Sequence, residues 1–106
     1  GNPIRKMAEE FRASYLKVNG TPSTDAFSAY AFDAWLVFAN AAERALKTAE
    51  PGTPAFRVAL HDAITSTKEV VGTHGVYNFT PDSRYGVDKR AREVVRLDHG
   101  KWMLVH

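Results

Sequence analysis

The 106-residue sequence predicts an α+β fold: three helices, then a strand and a carboxy-terminal β-hairpin. Three observations carry this. Apolar residues recur at helical spacing through the first two thirds of the chain. Each of three such stretches has its own start and stop signals. Beyond about residue 70 the period changes to alternation, with His99 and Gly100 between two alternating runs.

The stretch from Pro22 to Gly52 is the longest and most apolar, and it reads as one helix. Ser23 or Thr24 is placed to cap its first amides, Asp25 puts a negative charge in the first turn, and Pro51 with Gly52 supplies the stop. Between Ala26 and Ala42 the polar residues are only Ser28, Asp33 and Asn40, so the apolar surface is far wider than a single stripe. A membrane span needs roughly 20 consecutive apolar residues. Asp33 and Asn40 interrupt the run too early for that. The helix is expected to need neighbours on most of its circumference.

The first helix starts at Asn2 as cap with Pro3 at its first position, and Ile4, Met7, Ala8, Phe11, Tyr15 and Val18 form one apolar stripe. Gly20 is placed to end it in a left-handed conformation. The third helix takes Thr53 as cap and Pro54 as first residue, presents Phe56, Ala59, Leu60, Ala63 and Ile64, and fades near Thr67. After a glycine-rich bend, Val76 to Phe79 alternates as a single strand. The hairpin runs from Arg92 to Asp98 and back from Lys101 to Val105, which sets Asp98 opposite Lys101 and Leu97 opposite Trp102.

Composition bounds the function loosely. The chain is at most one domain, with 44% hydrophobic and 25% charged residues. A net charge of +2 is too small an excess to mark a nucleic-acid face, so no nucleic-acid partner is expected. With no cysteine there is no disulfide framework and no thiolate chemistry, which suits a cytosolic or a periplasmic protein equally.

No constellation for catalysis is evident, and no metal or other cofactor is expected. His61, His74, His99 and His106 lack partners at ligand spacing; they read as surface or turn histidines, with His61 and Asp62 expected to diverge on a helix. No serine lies in a G-x-S-x-G elbow. Gly72 and Gly75 have the wrong flanking order for a phosphate cradle, which needs a strand before and a helix after, and read as a hinge or tight passage between packed units. The basic residues Arg84, Lys89, Arg90, Arg92 and Arg96 are interleaved with Asp82, Asp88 and Glu93, as in a solvated face. The three helices nevertheless expose more aromatic surface than two or three short strands can cover. Either a sheet from further sequence covers the long helix, or two copies of the chain cover each other in a homodimer.

The segments AFSAYAFDAWLVFANAAERA, PGTPAFRVALHDAI and GTHGVYNFTPDSRYGVDKRAREVVRLDHGKWMLV, in this order and spacing, resemble the carboxy-terminal part of the type I periplasmic solute-binding proteins of ABC transporters, the leucine/isoleucine/valine-binding family. The resemblance spans nearly the whole chain. It implies a piece of a two-lobed α/β clamshell without enzymatic activity, with the helices of residues 1–70 on the amino-terminal-type lobe and the strands of 71–106 completing the other. Gly72 and Gly75 would then mark the crossover. It further implies a periplasmic location with a signal peptide upstream, a small solute trapped by closure, and a membrane permease as partner. The solute would be a branched-chain amino acid, an aromatic acid or another carboxylate. Phe27 matches an aromatic that lines the cleft in leucine-binding relatives, and Tyr30, one turn on, would share that face; the alternative reading is that both are core residues. The competing reading is a self-associating helical module that binds no ligand.

Overall fold

The computed structural model describes residues 1–106 as three helices, α1 (Pro3–Asn19), α2 (Phe27–Ala45) and α3 (Pro54–Thr65), followed by four short strands. These are β1 (Val70–Val71), β2 (Val76–Tyr77), β3 (Val95–Asp98) and β4 (Lys101–Leu104), with one 3-10 turn at Lys89–Ala91. The strands form two separate antiparallel pairs, β1 with β2 and β3 with β4. No helix is long and apolar enough to cross a membrane.

The caps of α1 and α3 are those the sequence predicts. Asn2 accepts from the Ile4 amide, and Gly20 closes α1 with φ 72°, a left-handed value that glycine adopts without steric cost. The Thr53 hydroxyl accepts from the Phe56 amide at 3.1 Å. The start of α2 is a correction: neither Ser23 nor Thr24 caps it. Asp25 does, its Oδ1 accepting from the amides of Phe27 and Ser28, while the Ser23 hydroxyl meets Ser28 Oγ at 2.6 Å. Helical structure therefore begins at Phe27. It also ends at Ala45, well before Pro51, where the Lys47 and Thr48 amides take tighter bonds to the Arg44 and Ala45 carbonyls, each three residues back.

α2 and α3 pack through small residues. Ala41, Ala45 and Ala63 are buried at the contact, with Phe56, Ala59, Leu60 and Ile64 around them. Arg44 pins the pair, donating from Nη2 to the Ala63 carbonyl at 2.7 Å and to Thr67 Oγ1 at 3.2 Å, and from Nε to Asn40 Oδ1. A guanidinium there also satisfies carbonyl groups at the negative end of α3. α1 is held more lightly: it buries no residue and meets α2 through Phe11 and Phe32, whose ring centres are 5.0 Å apart.

The stretch expected to be a single strand after a bend is a hairpin. Val70 faces Tyr77 and Val71 faces Val76, closed by the Gly72 amide donating to the Gly75 carbonyl. β1 is only two residues long, too short for alternation to reveal it. Ahead of it Glu69 has φ 52°, and its amide is held by Asn78 Oδ1. The β3–β4 hairpin has the predicted register, Asp98 against Lys101 and Leu97 against Trp102, though pairing starts at Val95 instead of Arg92. His99 and Gly100 both have positive φ, as the type I′ turn between two-residue-linked strands requires.

The molecule is extended, 57 × 36 × 22 Å with a radius of gyration of 16.8 Å; a compact domain of this length would have about 13 Å. Its accessible surface is 8180 Å², against about 5,900 Å² for a compact monomer of this mass. Large apolar side chains are part of this surface. Trp35, Phe38 and Val58 on the helices are exposed, and so are Val95, Leu97, Trp102, Met103 and Leu104 on the last hairpin. The expectation that the long helix lacks cover within these residues is met.

Arg90 donates to Asp88 and reaches Glu69 beside β1, and its hydrogen bonds hold both carboxyls below their ordinary range. A depressed carboxyl pKa stabilises the fold at neutral pH, and that contribution is lost as pH falls through the folded-state values. Replacing Arg90 with Gln is accordingly expected to lower the melting temperature slightly at pH 7 and to flatten its decline between about pH 5 and pH 3. Calorimetry giving parallel pH profiles for the two proteins would contradict this assignment.

Candidate functional site

Asp33 lies in the middle of the apolar run of α2 and is 2% exposed. A carboxylate taken out of water this fully is tolerated only where donors replace the solvent. The hairpin turn supplies them. Oδ1 accepts from the Thr73 amide at 2.6 Å, and Oδ2 accepts from the His74 amide at 3.0 Å and from the Tyr77 hydroxyl at 2.7 Å. Burial, and then the bond to Asp33, push the Tyr77 phenol well above its usual range, so it stays a neutral donor.

This arrangement explains Gly72. A Cβ at that position would lie 2.6 Å from Asp33 Oδ2, so the close approach of the turn to the carboxylate leaves no room for a side chain. Gly75 is similarly crowded, its absent Cβ falling 2.6 Å from Val87 Cγ1. Both glycines thus sit at the closing positions of the β1–β2 turn, packed against α2 on one side and the segment after Tyr85 on the other.

The turn also fixes His74. Its ring lies flat on Tyr30, centroids 3.7 Å apart and planes 12° from parallel. Nδ1 is 2.9 Å from the Thr73 hydroxyl and 3.5 Å from Asp33 Oδ2. Phe27 and Tyr30, the two residues singled out from the sequence, are both exposed on α2, with ring centres 6.4 Å apart. The structure therefore assembles an aromatic surface of Phe27, Tyr30 and His74 backed by a buried carboxylate. A cleft of about 320 Å³ adjoins it, lined by Tyr30, His74, Tyr77, Tyr85, Val87 and Ala91.

Sequence reasoning missed Asp33 as the anchor and took His74 for a surface or turn histidine. The signal for the first was available: one acid within an otherwise apolar helix is a buried group in need of donors. For His74 there was none, since its neighbours in space come from α2. The remaining histidines are peripheral. His61 does touch Asp62, at 3.3 Å instead of diverging, and His99 meets Asp98, but both pairs lie on the surface. No group of His, Asp or Glu residues is arranged to hold a metal ion.

Replacing Asp33 with Ala would strand the amides of Thr73 and His74 and the Tyr77 hydroxyl, and is expected to cost about 3 kcal/mol or more. Urea denaturation checks this, and a loss below about 1 kcal/mol would contradict the assigned role.

No protein-family model and no curated protein matches the sequence. Solved structures do. An extracellular ligand-binding receptor from Rhodopseudomonas palustris HaA2 superposes with a TM-score of 0.82 at 35% identity, over 100% of this chain and 30% of that one. A protein of Rhodopseudomonas palustris strain CGA009 gives 0.81 at 37% identity, again over 100% and 30% of the two chains. A further extracellular ligand-binding receptor from Rhodopseudomonas palustris gives 0.80 at 35%, over 98% and 29%. The chain thus spans about 30% of the length of these proteins. The likeness fits a piece of a type I periplasmic binding protein. The receptors it is similar to are named for binding a ligand outside the cell.

Proposed function

We propose that the chain is the carboxy-terminal part of the extracytoplasmic substrate-binding protein of a branched-chain amino-acid-type ABC importer. In the longer protein a small solute binds between two lobes that close over it, and the closed form is presented to a membrane permease. The function is capture, with no bond made or broken. The solute is a branched-chain amino acid, an aromatic acid or another carboxylate. On this reading the protein is periplasmic and is exported by a signal peptide.

The observation that carries the proposal is similarity along the whole chain, at 35% identity, to about 30% of a ligand-binding receptor. The bare apolar surface supports it: Trp35 and Phe38 on α2, and Leu97 and Trp102 on the last hairpin, have the exposure of core residues whose other half is elsewhere. Within this reading residues 1–70 belong to the amino-terminal-type lobe, residues 71–106 complete the other, and Gly72 and Gly75 lie at the crossover. Phe27, 77% exposed, and Tyr30 are the solute-facing residues of this part. The same bare surface is what a self-pairing helical module would show, so the two readings must be separated by ligand.

Isothermal titration of the longer protein with L-leucine and with benzoate is expected to give micromolar binding of at least one, and the 106-residue chain alone is expected to bind both negligibly. Phe27→Ala in the longer protein should weaken that binding about tenfold, with little effect on melting temperature, since an exposed ring contributes little to the fold. Micromolar binding by the 106-residue chain itself would overturn the proposal. So would a longer protein that binds neither probe, and self-association of this chain without ligand binding would then favour the module.

A further inference from the structure

Within the site Asp33, the Thr73 hydroxyl and His74 Nδ1 have hydrogen-bond partners, whereas His74 Nε2 and the Tyr30 hydroxyl have none. Asp33 is taken up by two amides and the Tyr77 hydroxyl. His74 Nδ1 faces the Thr73 hydroxyl at 2.9 Å, which is closer than that hydroxyl's other neighbour, the Ala29 carbonyl at 3.4 Å. His74 Nε2 has no partner. No buried side-chain nitrogen or oxygen in the protein lacks one, so Nε2 reaches accessible surface. The ring is held by stacking on Tyr30, so Nε2 has a fixed position.

From this geometry we infer that His74 is a solute-contacting residue, its Nε2–H donating to a carboxylate oxygen of a solute whose apolar body occupies the cleft among Tyr30, Tyr77, Tyr85, Val87 and Ala91. The inference rests on the solute-binding reading and adds to it the group that answers the solute's charge. The donor role belongs to the imidazolium and to the neutral tautomer protonated at Nε2. With Nδ1 accepting from the Thr73 hydroxyl, the neutral ring carries its proton on Nε2. In the imidazolium, Nδ1–H turns toward Thr73 Oγ1 and Asp33 Oδ2, and Nε2–H still points away from them.

No lysine or arginine lines this cleft. Arg90, beside Ala91, is engaged by Asp88 and Glu69. Arg12 and Asp25 line a separate cavity that His74 also borders, and Arg5, Arg90 and Glu93 a third. The cleft's volume of about 320 Å³ suits a small organic acid. Its walls are otherwise aromatic and aliphatic, with the Tyr30 and Tyr85 hydroxyls as further polar atoms. Discrimination therefore turns on whether the oxygen that the single donor meets carries a charge, since a charge-assisted hydrogen bond is about twice as strong as a neutral one.

The test is calorimetric titration of the longer protein with benzoate and benzamide, and with L-leucine and L-leucinamide, in wild type, His74→Phe and His74→Gln. Phe keeps the stack on Tyr30 and removes the donor; Gln restores a donor without the ring. Wild type is expected to prefer the carboxylate of at least one pair. His74→Phe should lose roughly ten- to a hundredfold for that carboxylate, with affinity for its amide changed less than about twofold, and Gln should recover part of the loss. Carboxylate affinity unchanged in both variants, with wild type binding normally, overturns the role of His74 and leaves the solute-binding reading intact. Equal losses for carboxylate and amide also overturn it, since they mark a structural role only. A wild-type protein that binds none of the four probes overturns the solute-binding reading and this inference with it.

Discussion

The buried carboxylate of Asp33 is the constraint on which the arrangement of this chain depends. Two-residue strands such as β1 and β2 have no stability of their own in water. What gives their turn a fixed place is a charge on α2 that must be hydrogen-bonded or expelled. Three donors from the turn and β2 meet it, and the close approach they require excludes a side chain at Gly72. The aromatic surface follows. Once the Thr73 and His74 amides are committed to Asp33, the imidazole is delivered onto Tyr30, and residues of α2 and of the β1–β2 turn that are distant in sequence share one face.

The opposite property holds elsewhere. Trp35, Phe38 and nearly the whole β3–β4 hairpin are bare, and the hydrophobic contact of α2 with α3 rests on alanines. Alanine at a helix contact lets backbones approach closely but buries little apolar area. A chain with this balance has a well-ordered local frame and too little core to account for its own apolar surface. Similarity to only about 30% of each receptor is the same fact seen from outside.

Much of this was legible in the sequence, and the limits have physical causes. Asn2, Pro3 and Gly20, and likewise Thr53 and Pro54, act within a few residues of themselves, so the ends of α1 and α3 could be read directly. The His99-Gly100 turn fixed the register of β3 and β4 for the same reason. The start of α2 was misread because Ser23, Thr24 and Asp25 are all competent caps in sequence, and only the path of the chain selects Asp25. β1 was invisible because two residues show no period, and its existence depends on Asp33. The candidate site was half legible: Phe27 and Tyr30 came from a resemblance, whereas His74 became significant only through contacts across the fold.

The most direct test of this account is amide hydrogen exchange at Thr73 and His74. Donation to a carboxylate that is 2% exposed should make both amides exchange as slowly as the interior of α2, although they lie in a turn. Exchange as fast as that of the exposed turn at Gly100 would mean that Asp33 does not hold the hairpin, and the site built on it would not exist.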